Sequence, residues 1–444
     1  MGDPMTGKQA FAKNLDLLAY HDLDGKPWFQ MAMQVVGGRY YLYAAHFKHP
    51  GWAIMDVTDP TKPEYLKFIP GPDLAGQGTP KIQVADGLML TALGGSLPML
   101  HANEWGDPYE EGLYVWDVRD PVNPKLLSKW FNTGGGGVHR FFYNGGRYAH
   151  LSATCDGFRG YIYRILDLID PTHPVEVGRW WAPDQFAAGY VHAKNAVASD
   201  ADQLALLDSA VMHGPAYPKG DLAYVSYGGA GMVILDISDI TLPKLIGQLR
   251  HHPPFAGKLG GARCHTVVPL SKRDYALMST EGERFHVFTP EQVKVPQPLN
   301  FIGMVDISDP TDPTLISTFP YPEVPAGYPY RNFNEIPGWG AGPFGPHNLH
   351  EPHDHPALED RNDRAYCAYF HAGLRVYDIS DPFVPKEIAY FIPPDPAGFK
   401  FNNAAGDCFP GPLLGTAEDV LVDNRGYIFL DSQHDGLYVL RCTV

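Results

Sequence analysis

Four histidines and one glutamate stand at one recurring place in this 444-residue chain. His139 lies in GGVHRFF, His213 in VMHGPAY, His265 in ARCHTVV, His347 in FGPHNLH and Glu418 in TAEDVLV. Each precedes, by about nine residues, the aromatic or apolar residue that follows a Gly/Asp/Arg-rich turn, a count that period-two strand pairing converts into one structural position. The same count gives Met31 and Thr79 in the first two units, and an insertion leaves His350 as an alternative to His347. Imidazoles and a carboxylate converging from separate segments are a ligand set for one divalent metal: Fe, Mn, Cu or Zn. Without a metal, the same groups are acids and bases for proton transfer, with Glu418 as the base. A ring of histidines that only bonds its own loops is the third reading.

These residues can meet only if the segments carrying them repeat, and they do. GWAIMDVTDPTKP from Gly51, GLYVWDVRDPVNP from Gly112, GYIYRILDLIDPTHP from Gly160, GMVILDISDITLP from Gly231, NFIGMVDISDPTDP from Asn300 and GLRVYDISDPFVP from Gly373 are six copies of one unit. A seventh begins at Gly436 as GLYVLRCTV. Gly/Asp/Arg turns such as NGGRYAHL and SKRDYALM mark a hairpin before each Gly-opened strand, and PKLLSKWF or PKEIAYFI supplies a strand after the Asp-Pro turn. Four antiparallel strands recurring at this scale are a propeller blade. NLDLLAYHDL at Asn14 reads like a fourth strand without a blade, and the last unit lacks one. The expectation is an all-β, seven-bladed β-propeller spanning 1–444 as a single domain, with the N-terminal strand, about 11–22, completing the blade at 416–444.

The units resemble the LVIVD repeat, whose core is an apolar run followed by Asp-Ile-Ser-Asp-Pro, as in the copies from Asn300 and Gly373. The resemblance runs over nearly the whole chain and implies the propeller fold, but no single activity. Seven-bladed rings with metal-binding histidines also occur in the selenium-binding/methanethiol-oxidase and carotenoid-oxygenase groups. No motif of either is present here, so that likeness is one of fold alone.

In such a blade the loop between strands two and three opens on the same face as the start of strand one. This adds His46, Asp156, Tyr227, Glu281, His371 and His434 as an outer ring. His46, His371 and His434 are candidates to orient ligands or to move protons, or are polar turn residues. Long insertions reach the same face: Leu93 to Gly112, Trp181 to Met212, Pro320 to Pro346 and Pro393 to Gly415. Their aromatic content suggests a lid that keeps water from an apolar pocket. HEPHDH at His350 has prolines that exclude a helical zinc motif, so His353 and His355 read as loop residues. GGGG at Gly134 lacks the Lys and Ser/Thr of a phosphate loop and is expected to let the backbone pass close to the axis beside His139. Cys264 faces away from the axis if His265 faces it.

Composition sets the outer bounds. Apolar residues make up 44%, aromatics 13% and charged residues 19%, with 47 Gly and 42 Pro, which suits short strands and tight turns. The net charge of −16 argues against nucleic acid or an anionic membrane as partner. Five scattered cysteines without a CxxC pair are the usage of a reducing compartment, hence a cytoplasmic protein. The start MGDPMT matches the loose myristoylation pattern but has no basic neighbour to add a second anchor. The leading expectation is a metal-dependent enzyme acting on a small, largely apolar or aromatic molecule. O2-dependent oxidation or cleavage is placed ahead of metal-dependent hydrolysis or a lyase reaction. A metal-free acid/base lyase, hydratase or isomerase and a non-catalytic interaction scaffold remain as alternatives, and a homo-oligomer is open.

Overall fold

The strand that ends each repeat is stopped by two successive aspartate caps. Asp236 accepts the N–H of Ser238 at 2.9 Å and Asp239 that of Thr241 at 3.0 Å. Asp306 and Asp309 repeat the device toward Ser308 and Thr311, and Asp378 and Asp381 toward Ser380 and Phe383. A carboxylate that takes a backbone donor two residues on turns the chain out of its ladder. The Ser238 and Thr241 bonds hold the Asp236 and Asp239 carboxyls below the ordinary range.

A computed structural model describes residues 10–26, 28–46, 49–95, 106–187, 211–250, 264–281, 300–333, 345–351, 354–396, 414–432 and 435–444. Its strands form seven antiparallel sheets, as the repeats require. Blade one is Gln30–Val36, Arg39–Ala45, Gly51–Asp56 and Glu64–Pro70. Blade two is Ile82–Ala85, Leu88–Gly95, Gly112–Asp117 and Lys125–Phe131, extended by Gln77–Gly78. Blade three is Val138–Phe142, Tyr148–Ala153, Ile162–Asp167 and Val175–Trp180. Blade four is Ala216–Lys219, Leu222–Ser226, Met232–Asp236 and Lys244–Leu249. Blade five is Thr266–Pro269, Tyr275–Ser279, Ile302–Asp306 and Thr314–Thr318. In blade six a short inner run, bridged at Leu349 to Cys367, precedes Arg364–Ala368, Leu374–Asp378 and Lys386–Ile392.

Blade seven joins Ala417–Val422, Tyr427–Ser432 and Leu437–Cys442 to Leu15–His21, so the ring is closed by the two ends of the described chain. The N-terminal strand does more than expected. Phe11–Lys13 pairs instead with Tyr390 to Ile392 of blade six, and Asn14, at φ +55°, makes the step between the two blades. Its side-chain amide donates to Ile388 O at 2.7 Å.

Apolar residues from facing blades fill each gap. Between blades seven and one, Met33, Leu42, Met55, Phe429 and Val439 are buried together. Between blades four and five, Tyr224, Ile234, Val267 and Met278 do the same. Facing sheets that bury both surfaces explain the near-continuous apolar runs of the third strands. The glycine that opens the third strand is required by a close approach from the fourth. A Cβ on Gly231 would lie 2.1 Å from Leu249 O, and one on Gly373 would lie 2.1 Å from Phe391 O, with φ at +83° and +77°. Fourth strands pass under the turn of the next blade in the same way. Ser128 donates to Pro171 O and Ser317 to Pro382 O, while a Cβ on Gly247 would meet Pro310 O at 1.9 Å. Among the described residues no helix is long and apolar enough to cross a membrane.

Gly231→Ala should lower stability by about 2 kcal/mol in urea unfolding, because both the carbonyl and the positive φ oppose a Cβ. A second expectation concerns His150, 5% exposed, whose Nδ1 lies 2.6 Å from the Tyr163 hydroxyl and whose pKa is pushed down by burial to about 4. It stays neutral in the fold while the unfolded chain takes up a proton near pH 6.5. Its contribution to stability is therefore complete above pH 6.5 and is lost as pH falls toward 4, with a slope of up to about 1.4 kcal/mol per pH unit. Unfolding curves from pH 7 to 4.5 should show a shallower slope in His150→Gln.

Candidate functional site

The first strands begin at the propeller axis, and two of them carry a bulge there. His139 is the extra residue between the pairs Val138/Ala153 and Arg140/Ser152, and Glu418 the extra residue between Ala417/Ser432 and Asp419/Asp431. A bulge re-aims side chains, so neighbours that would otherwise point to opposite faces both reach the axis. His139 therefore arrives with Arg140, and Glu418 with Asp419.

The structure brings His139, His213, His265 and His347 into one row. Ring centroids are 4.7 Å apart from His139 to His213, 4.7 Å from His213 to His265 and 4.9 Å from His265 to His347. His139 Nδ1 meets His213 O at 2.9 Å and His347 Nδ1 meets Glu418 O at 2.7 Å. A carbonyl only accepts, so Nδ1 carries the proton in both rings and Nε2 is left with its lone pair. Glu281 enters from the loop after strand two of blade five. Its carboxylate lies 3.5 Å from His213 Nε2, 3.3 Å from His265 Nε2 and 3.7 Å from His347 Nε2. Glu418 Oε1 is 3.4 Å from His347 Nδ1. Donor atoms of His213, His265 and Glu281 all lie within 4.8 Å of one another, a group able to hold a metal ion. Burial pushes the His139 pKa down to about 3, helped by Lys81, and drives those of His265 and His347 well below the usual value. Neutral imidazoles of this kind are available as ligands.

A charged level lies next along the axis, and sequence reasoning missed it. Arg140 crosses from blade three: Nη1 donates to Thr266 Oγ1 at 3.0 Å and stands 3.5 Å from both His265 ring nitrogens, and Nη2 donates to Glu351 Oε1 at 3.0 Å. Asp419 accepts from Met31 N at 2.8 Å and from Asn348 Nδ2 at 3.0 Å. Lys81 is 3% exposed and its ammonium sits 4.0 Å over the Phe29 ring. Burial, then Arg140, lowers the Lys81 pKa to about 7, and burial raises that of Asp419 to about 7. Arg140 and Asp419 follow His139 and Glu418 directly, so a bulge was the signal that could have found them. Lys81 had none.

In blades one and two the count from the hairpins slips. Phe29, not Met31, repeats the backbone bond of the histidines: it donates to Ala45 O as His265 does to Ser279 O. Phe29 touches the His347 ring at 6.1 Å, whereas Met31 packs in the core between blades seven and one. Thr79 Oγ1 bonds His46 O and lies outside the row. His347 and not His350 joins the row. His350 is held by backbone groups, donating to Glu359 O and accepting from Val422 N.

Of the outer ring, Glu281 is the residue whose side chain reaches the histidines. His46 is buried edge-on to Phe68 and Trp28, and His371 Nε2 donates to Phe333 O at 2.8 Å. Tyr227 bonds Gln185, and Asp156 is exposed. His434 and His353 lie outside the described residues, as do the central parts of the four insertions. The described ends of those insertions are packed, with Phe158 against Trp181 and Phe186, and Tyr328 against Phe333. His355 donates to Val84 O. Cys264 packs in the core between blades four and five, where burial raises its thiol pKa. The glycine run at Gly134 passes against blade two instead of the axis: Gly137 bridges Gly94.

Fold and repeats together define a seven-bladed β-propeller. The chain carries LVIVD repeats, whose family model matches residues 219–250, 300–320 and 362–391. No curated protein matches the sequence. Among solved structures, a hypothetical selenium-binding protein from Sulfolobus tokodaii is similar at 13% identity and a TM-score of 0.50, over 92% of this chain and 83% of that one. The Swd1 beta-propeller domain from Myceliophteria thermophila is similar at 8% identity and a TM-score of 0.49, over 94% and 98%. Identities this low speak for the fold alone.

Arg140→Met should cost about 3–5 kcal/mol in stability, because it strands the Glu351 carboxylate in a buried site. The double variant Arg140→Met/Glu351→Leu should recover much of that loss in chemical denaturation.

Proposed function

We propose that His213, His265 and Glu281, with His139 and His347 beside them, hold one divalent transition metal in an enzyme acting on a small, largely apolar or aromatic molecule at the propeller axis. Donor spacing carries this reading. The Glu281 carboxylate stands 3.3 to 3.7 Å from three Nε2 atoms, too long for good N–H···O bonds. Ligands about 2.1 Å from a tetrahedral ion stand about 3.4 Å apart, close to these carboxylate distances, and the donors of His213, His265 and Glu281 all lie within 4.8 Å of one another. Imidazole with a single carboxylate suits Fe, Mn, Cu or Zn.

Held by these residues, such an ion would supply Lewis acidity toward a carbonyl or water, or a site for O2 activation. The chain's own residues do the rest. The His213 and Glu418 carbonyls fix the orientation of the His139 and His347 rings. Phe370, stacked on His347 at 4.7 Å, and Tyr161, 5.1 Å from His139, with Phe29, wall the site with aromatic surface and exclude water. Glu418, beside His347, is placed to accept or return a proton. O2-dependent oxidation or cleavage is preferred because two imidazoles and one carboxylate, His213, His265 and Glu281, leave the ion most of its charge and an open position. Hydrolysis and lyase chemistry use the same groups. The buried free thiols Cys155, Cys264 and Cys367 support a cytoplasmic setting.

A metal-free acid/base enzyme is the second reading, favoured by the His265/Glu281 and His347/Glu418 contacts at 3.3 and 3.4 Å. Elemental mass spectrometry on untagged protein decides between them. About one Fe, Mn, Cu or Zn per chain is expected, lost in His213→Ala/His265→Ala and reduced in Glu281→Gln. Folded wild-type protein that takes up none of these metals would leave the acid/base reading standing.

A further inference from the structure

The level beneath the histidines holds two cationic groups whose donors are not all used. Lys81 Nζ carries three donors and lies over the Phe29 ring; among the described residues Asp419, Glu418 and Glu351 favour its charge without a hydrogen bond or ion pair to it. Arg140 spends Nη1 on Thr266 and Nη2 on Glu351, while its Nε is buried without a partner. Lys81 is 3% and Arg140 1% exposed; the Phe29 ring under Lys81 lies 6.1 Å from His347, and Arg140 Nη1 stands 3.5 Å from the adjoining His265. Burying cationic donors without acceptors is costly, and a fold that does so points to a ligand that supplies them. The carboxylates at this level already have donors of their own: Glu351 has Arg140, and Asp419 has Met31 N and Asn348.

We propose that Lys81 Nζ and Arg140 Nε form the seat for a substrate carboxylate, with the substrate's apolar body directed up between Phe29, Phe370 and the histidines. The substrate class is then a small monocarboxylic acid with an aliphatic or aromatic body. This deepens the axial-site reading and rests on it for the reaction. The anion seat uses none of the proposed metal ligands, and Lys81 is three blades from Glu281 along the ring.

The test is isothermal titration of the full chain with acetate, propionate and benzoate, with benzamide as the neutral control, alongside metal content by mass spectrometry. At least one carboxylate should bind and benzamide should not. Lys81→Met should weaken carboxylate binding by about tenfold or more with metal content unchanged, and Lys81→Arg, which keeps a charged donor, should restore most of it. Failure of all three carboxylates to bind folded wild-type protein, equal binding of benzoate and benzamide, or unchanged binding by Lys81→Met overturns the proposal. If Lys81→Met does not fold, binding by Lys81→Arg and its loss in Lys81→Gln carry the same decision. Carboxylate binding that depends on Lys81 in protein that never takes up metal would sink the metal reading and leave the seat in place.

Discussion

The pairing of Leu15–His21 with Leu437–Cys442 is the interaction on which the axial site depends. Each first strand delivers one or two side chains to the centre, and those side chains meet only when the blades form a closed circle. An open row of blades would leave the two outer sheets with exposed edges and the histidines fanned apart. Closing the circle with hydrogen bonds between chain segments some 400 residues apart makes the site a property of the whole ring. The extra pairing of Phe11–Lys13 with blade six adds a second fastening beside the first. Chain entropy opposes such a long closure only weakly more than a short one, since its cost grows with the logarithm of loop length.

Within that circle the balance is electrostatic. Buried imidazoles are kept neutral by the same desolvation that makes Lys81 and Asp419 expensive to charge. The structure answers by separating the axis into levels. Histidine nitrogens and Glu281 occupy one, and Arg140 locks Glu351 in the next. Groups are thus sorted by what can satisfy them, with imidazole nitrogens at one level and a fixed ion pair at the next.

The fold was legible because its signal is local and repeated. Every Asp-Ser/Thr-Asp-Pro turn writes its own hydrogen bonds, and Gly231 and Gly373 declare the approach of a carbonyl. The four histidines could be aligned for the same reason. What failed was counting where blades depart from the pattern. Phe29 fell outside the count because strand one of blade one is seven residues long, against four in blades four and five. Glu281 could be placed on the right face but not at the right depth, since the reach of a loop side chain is set by packing across blades. Lys81 and Glu351 gave no signal at all: a single charged residue in a connecting segment reads as solvated until the ring that buries it is assembled.

The passage of each fourth strand beneath the following turn has a consequence for how the molecule came to have its number of blades. Ser128 reaches Pro171, Gly178 faces Ile240, Gly247 faces Pro310, and Ser317 reaches Pro382, always from one blade to the next and never back. A contact that joins two different surfaces head to tail either returns on itself or continues indefinitely. Each blade therefore sets the angle of its successor, as a subunit does in a cyclic oligomer, and the small side chains at these crossings fix that angle. Duplicating one repeat would not give a wider wheel. It would give a strip of blades whose ends no longer meet, and bulkier residues at every crossing would have to change together before another closure became possible.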